Sequence, residues 1–279
     1  MSIGILALIL LAAGLHAAWN AMMKVAENPL GLAARATSYG ALATLLPVAA
    51  IWLWQGRPGL PPSAWLLVVV SAGLELLYFI ALTTAYQRGE LSVVYPIARG
   101  TAPLLAVAVG LLVLGERVHP AALVGIVLLL AGIWSVRRPS AASGALVPAL
   151  ITGVLIAAYS SVDRVGVRLT SPWLYGWVLW TLEAIFLQAY SRLAHVAGAD
   201  LRKDPGRSLI VGVLMTGAYF LILFALSVAP LAIVAPIRES AIVLVAAWGI
   251  WRLGERRGAW IRIIGAVAIV AGIALLALS

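Results

Sequence analysis

Five short strings recur in order along this chain at a nearly constant spacing. AAWN at Ala17–Asn20 returns as AAYS at Ala157–Ser160, and Tyr78-Phe79 as Tyr219-Phe220. VYPI at Val94–Ile97 returns as VAPI at Val234–Ile237, LGER at Leu114–Arg117 as Leu253–Arg256, and AGI at Ala131–Ile133 as Ala271–Ile273. The offset stays near 140 residues. One such match is chance, whereas five in order point to an internal duplication.

The duplicated unit is built from membrane spans. The chain is 63% hydrophobic and only 10% charged, far from the balance of a soluble domain. A bilayer-crossing helix takes roughly 20 apolar residues. With charges, prolines and glycines as breaks, spans are expected near 3–23, 31–54, 64–86, 91–114 and 119–136, then near 145–163, 172–195, 208–228, 231–252 and 258–278. The first repeat is expected over 1–138, the linker over 139–143 and the second repeat over 144–279. The N-terminal segment lacks the positive n-region of a secretory signal and reads as a retained first helix.

Five is odd, so two copies in one chain must lie in opposite orientations. The expected fold class is therefore an all-α integral membrane protein with ten transmembrane helices, as two inverted five-helix repeats around a central cavity. That architecture is common among secondary transporters. Loop charges agree with it. Lys24, Arg35, Arg88, Arg137, Arg138, Arg192, Arg202, Lys203, Arg207, Arg252, Arg256, Arg257 and Arg262 fall on one side, and only Arg57, Arg117, Arg164 and Arg168 on the other. The positive-inside rule puts the richer side in the cytoplasm and both termini outside. The net charge of +9 is thus explained without nucleic acid.

Two segments break the apolar pattern, VVYPIARGTAP from Val93 to Pro103 and IVAPIRESAIV from Ile233 to Val243. Proline removes a backbone hydrogen bond and kinks a helix. In lipid such a break belongs beside a cavity or a packed neighbour. Pro96, Pro103 and Pro236 are thus candidate kinks or hinges. An arginine at mid-bilayer costs roughly 3 kcal/mol or more unless paired or wetted. Arg99 and Arg238 sit at similar depths in the two repeats. They suit a substrate carboxylate, or else ion pairs, Arg238 with Glu239 and Arg99 with Glu75. Glu75 and Glu183 lie near the middles of their spans and suit an ammonium group or a coupling proton.

Glu75, Tyr78, Phe79 and Leu82 share a helical face. So do His16, Trp19 and Asn20, and Tyr159 and Asp163; Trp177 and Trp180 lead towards Glu183. With Tyr95, these rings are candidate cavity lining. Trp52, Trp54, Trp173 and Trp260, near span ends, read as an interfacial belt. The two Gly-Glu-Arg turns read as structural helix stops at the membrane surface. Gly125, Ala131, Gly132, Gly265, Ala271 and Gly272 allow close helix contacts, within one subunit or between two of a homodimer.

Ten spans, a five-helix duplication, the proline-centred fourth and ninth helices and the Gly-Glu-Arg turn after each resemble the drug/metabolite transporter superfamily. Within it, the EamA-type exporters are most similar, including amino-acid exporters of the YddG type. The resemblance implies a ten-helix basket in a bacterial inner membrane that exports amino acids or other small metabolites. The leading expectation is a secondary transporter or facilitator for a small zwitterion, aromatic or otherwise neutral, working by alternating access, with proton coupling left open. Cationic drugs, sugars and nucleotide-linked metabolites are the alternative cargoes. A channel remains open, though the inverted repeat favours alternation. A purely structural scaffold would not need buried charges. No ATP-binding Gly-x-x-x-x-Gly-Lys motif occurs. There is no cysteine, and the only histidines are His16, His119 and His195. An intramembrane enzyme is accordingly a distant reading, and no cofactor or metal is expected.

Overall fold

The computed structural model describes residues 2–89, 91–136, 144–240 and 259–278. Its helices are α1 (Ile3–Lys24), α2 (Pro29–Trp54), α3 (Pro62–Arg88), α4 (Leu91–Leu112), α5 (Pro120–Val136), α6 (Leu146–Gly166), α7 (Pro172–Leu193), α8 (Pro205–Val228), α9 (Leu231–Arg238) and α10 (Ala259–Leu278). There is no strand among the described residues. The expected linker, residues 241–252 of the ninth span and the second Gly-Glu-Arg turn lie outside them, as do the side chains of Tyr95 and Pro96.

The helix starts follow local chemistry. Proline stands in the first turn of α2, α3, α7 and α8, where its missing N–H has no intrahelical partner to lose. The Asn28 side chain accepts from Gly31 N at 3.0 Å, and Asp204 from Arg207 N at 3.2 Å. These side chains satisfy free N–H groups at the starts of α2 and α8. α1, α2, α3, α6 and α8 are each long and apolar enough to cross a bilayer. Proline does not stop α4, which runs through Pro96 and Pro103. At Pro236 the outcome differs: α9 ends two residues later in a tight turn, with Ser240 N donating to Ile237 O.

The packing repeats when each helix is exchanged for the one five places on. α1 packs on α8 as α6 packs on α3; α2 packs on α8 as α7 packs on α3; α4 packs on α6 as α9 packs on α1. α2–α7, α4–α9 and α5–α10 pair across the same relation. It extends to single bonds. Lys24 Nζ donates to Tyr86 O at 2.7 Å, and 140 positions later Arg164 Nη1 donates to Leu226 O. The fold is an inverted duplication in an integral membrane protein.

Small residues set the closest approaches. A Cβ on Gly132 would lie 2.6 Å from Gly265 O, and one on Gly272 2.6 Å from Gly125 O. The glycine stripes of α5 and α10 are therefore used within one chain. Gly115, at φ +63°, takes the left-handed conformation that ends the α4 region.

Two charges assigned to loops belong instead to helices. Arg35 lies in α2, buried, and donates to Ser208 Oγ at 2.9 Å and to Gly198 O. Arg164 lies in α6, buried, with its Nε 2.8 Å from Glu116 Oε1. Glu116 was expected at the membrane surface, yet its side chain is buried as well. It also accepts from Leu231 N at 2.8 Å and Ala232 N at 3.0 Å, capping the start of α9. Its turn is thus structural, and one carboxylate joins three elements. Glu116→Ala is expected to destabilise the fold by about 3 kcal/mol, because it strands a buried guanidinium and two helix N–H groups. Denaturant unfolding in detergent micelles measures this, and a change below about 1 kcal/mol would contradict it.

The basic loops meet at one end. Lys203 Nζ lies 3.2 Å from Glu27, Arg207 Nη2 donates to Met22 O at 2.7 Å, and Lys24 Nζ to Gly89 O at 2.9 Å. The loops after α1, α3 and α7 therefore share one surface, as the charge asymmetry requires.

Candidate functional site

The repeat relation brings the proline segments of α4 and α9 together, and with them the mid-span charges. Arg99 on α4 is buried, with Nη1 3.0 Å from Glu239 Oε1. Arg238 Nε lies 3.2 Å from the same oxygen, and its Nη1 donates to Ser160 Oγ at 3.2 Å. Glu239 thus sits between two guanidinium groups, one from each repeat. Of the two ion pairs expected, Arg238–Glu239 is present. Arg99–Glu75 is replaced by Arg99–Glu239, because the α4–α9 contact carries Arg99 to the turn after α9.

A second polar cluster forms where α3, α6, α7 and α8 meet. Asp163 is buried and accepts three hydroxyl bonds: Ser71 at 2.6 Å, Tyr219 at 2.6 Å and Tyr175 at 3.1 Å. Gly166, one turn beyond Asp163, leaves room for the Tyr175 ring, since a Cβ there would lie 2.2 Å from it. Glu75 and Glu183 are both buried, as neighbours in this cluster. Neither oxygen of Glu183 receives a donor from another residue. Trp180 packs at a tilt against Tyr219 with ring centroids 5.3 Å apart, and its Nε1–H has no acceptor. The Thr216 hydroxyl, also without a partner, lies on the same side against Gly40.

Rings join the two clusters. Tyr78 packs edge-on against Tyr159 at 5.6 Å and against Phe79 at 4.8 Å, and Phe79 meets Trp19 at 6.4 Å. Trp19 Nε1 donates to His16 Nδ1 at 3.0 Å, Asn20 Nδ2 to His16 O at 2.7 Å, and Tyr86 OH to Asn20 Oδ1 at 2.9 Å. His16 Nε2 remains buried without a partner. Leu82 is buried on the face that carries Glu75 and Tyr78.

Most of the expected residues therefore converge: His16, Trp19, Asn20, Glu75, Tyr78, Phe79, Leu82, Arg99, Tyr159, Asp163, Trp180, Glu183, Arg238 and Glu239. Trp177 does not join them. It is half-buried, and its Nε1 lies 3.4 Å from Ala41 O of α2, which makes it a helix–helix contact. Pro103 and Pro236 are buried in α4 and α9. Ser71, Ser160, Tyr175, Thr216 and Tyr219 join the clusters without having been singled out as site residues. Ser71 lies one turn before Glu75 and Ser160 one turn before Asp163, so helical spacing from expected members was the available signal for these two. For Tyr219 the signal was the repeat, in which Tyr219-Phe220 is the counterpart of Tyr78-Phe79.

Charge is unevenly shared. Four carboxyl side chains (Glu75, Asp163, Glu183, Glu239) and two guanidinium groups (Arg99, Arg238) are buried in these clusters. In a low-dielectric interior the excess acid has to be matched by protons or by a cationic group. Among the described residues no group of three or more histidine, aspartate or glutamate side chains has the geometry of a metal site.

A solved crystal structure 19% identical to this chain superposes on 98% of it, covering 95% of its own length, with a TM-score of 0.73, which shows a shared fold. No curated protein matches the chain significantly. Residues 2–138 match the EamA-like transporter family. This first half, which carries the α3 and α4 part of the buried clusters, is similar to the EamA-like transporters, membrane carriers of small molecules.

Proposed function

We propose that this protein exports a small zwitterion, in first place a neutral or aromatic amino acid, across a bacterial inner membrane. One observation carries this reading: buried groups of both signs, bridged by aromatic rings, lie where the two repeats meet. Arg99 and Arg238 offer planar donors to a carboxylate. Glu75 and Glu183 offer an acidic partner to an ammonium group, and Trp180 and Thr216 add unused donors beside them. Tyr78, Tyr159 and Phe79, between the two poles, suit an apolar side chain.

In this reading the two repeats, 1–138 and 144–279, rock against each other to expose the site alternately. The turn after α9 and the proline segment of α4 serve as the pivot. The basic end faces the cytoplasm and both termini lie outside. An incoming ammonium group replaces a proton held between Glu75 and Glu183, which would couple transport to protons.

Counterflow in proteoliposomes tests the proposal. Vesicles loaded with unlabelled phenylalanine, threonine or methionine should transiently accumulate the labelled amino acid. Glu75→Gln should reduce the initial rate at least tenfold while the protein stays folded, since it removes the charge that faces the ammonium group. No accumulation across a broad amino-acid panel would refute the cargo.

A cationic drug is the second reading, favoured by the excess of buried carboxyl groups over guanidinium groups. It predicts accumulation of a lipophilic cation, lost in Glu183→Gln and retained in Arg99→Lys.

A further inference from the structure

The end that gathers the basic loops carries a groove of about 640 Å³ between the last turn of α7 and residues 196–202. Four basic side chains at this end already have partners within the chain. Arg35 is bound to Ser208 and Gly198, Lys24 to Tyr86 and Gly89, Lys203 to Glu27, and Arg207 to Met22. Arg192 and Arg202 differ. Both line the groove, and neither guanidinium has an ion pair or hydrogen bond among the described residues. The one acid in the lining, Asp200, accepts from the Arg202 backbone N at 2.9 Å.

A second feature marks the groove as a site. Ser191 lines it, is 2% exposed, and its hydroxyl has no partner. The neighbouring Gln188 amide is already engaged with Ala34 O and Ser38 Oγ. Two planar cations without a hydrogen-bonded partner and one unpartnered hydroxyl thus line a space that holds a single carboxylate, Asp200. Val196, Ala199 and Leu201 give it apolar walls, and the Tyr39 hydroxyl holds Leu201 O at 3.0 Å. Leu193, next to Arg192, is 83% exposed at the end of the span. Apolar surface and guanidinium groups therefore meet at headgroup depth. Orienting the chain in the membrane requires positive charge but no groove.

We propose that this groove binds the headgroup of an anionic phospholipid. The phosphodiester lies between Arg192 and Arg202, Ser191 donates to one of its oxygens, and the acyl chains cover Leu193 and Leu201. Free inorganic phosphate shares the anion chemistry but brings no apolar surface.

Native mass spectrometry of the full-length protein in detergent tests this, with phosphatidylglycerol, phosphatidylcholine and inorganic phosphate as probes. The wild-type protein should retain phosphatidylglycerol roughly tenfold better than phosphatidylcholine. Arg192→Ala/Arg202→Ala should abolish the preference, and Arg57→Ala, at the other end, should keep it. Ser191→Ala should weaken retention severalfold, and with the wild-type comparison it suffices if the double variant does not fold. Equal retention of the two lipids by the wild type, or an unchanged preference in the variants, overturns the site. Displacement of phosphatidylglycerol by millimolar phosphate assigns the groove to the free anion and overturns the lipid.

Discussion

Glu239→Ala is expected to lower the unfolding free energy by about 3–5 kcal/mol and to abolish transport. The residue is 2% exposed, and one of its oxygens lies 3.0 Å from Arg99 and 3.2 Å from Arg238. Removing it takes the carboxylate from the buried Arg238 guanidinium and breaks the ion pair with Arg99, the costly half of a broken buried pair. Arg99→Ala should cost less, because Glu239 keeps Arg238 and Arg238 keeps Ser160. Denaturant unfolding in micelles orders the two variants. If Arg99→Ala is the more damaging, Glu239 is not the hub of the network and the assignment of the α4–α9 contact fails. Glu239→Gln, which keeps shape and one acceptor, should fall between them and separates loss of charge from loss of packing.

Gly212→Leu should prevent stable folding. A Cβ at this position of α8 would lie 2.3 Å from Ala36 O and 2.9 Å from Gly40 N, both backbone atoms of α2. Backbone cannot yield as a side-chain tip can, so α2 and α8 would have to separate. Overpacking of this kind typically costs 1–3 kcal/mol, and more where backbone must move. The separation would also draw Thr216 and Trp180 away from Gly40, so the acidic cluster would lose its wall. Gly73→Leu on α3 is the control, since nothing lies within 4 Å of a Cβ there. Size-exclusion chromatography and unfolding of both variants check the contrast. A monodisperse Gly212→Leu protein of wild-type stability would show that the two helices are not in direct contact.

The sequence alone predicted more of the fold than of the site, and particular residues show why. Span positions follow from runs of apolar residues, and Pro29, Pro62, Pro172 and Pro205 mark helix starts through local rules. The inverted repeat followed from arithmetic, an odd number of spans used twice. Within one helix, His16, Trp19 and Asn20 were grouped by spacing and are joined by hydrogen bonds. Spacing failed wherever a partner comes from another helix. It could not tell that Arg99 meets Glu239, 140 residues away, instead of Glu75. Nor could it tell that Trp177, in line with Trp180, turns to α2.

Depth was misjudged for a similar reason. Arg35, Arg164 and Glu116 looked like surface charges because they stand near span ends. A charge there stays buried only if tertiary contacts supply partners, here Gly198 O, Leu226 O and the first N–H groups of α9. Hydrophobic periodicity and proline placement are properties of single helices and are written locally in the chain. The pairing of buried charges depends on which helix faces meet, and that is decided by close contacts such as Gly212 on Ala36 and Gly166 under Tyr175. The sequence by itself therefore determined ten spans, their duplication and their inversion. Only the tertiary structure decided which charges neutralise one another, because in a low-dielectric interior that choice is made by separations of about 3 Å between groups far apart in the chain.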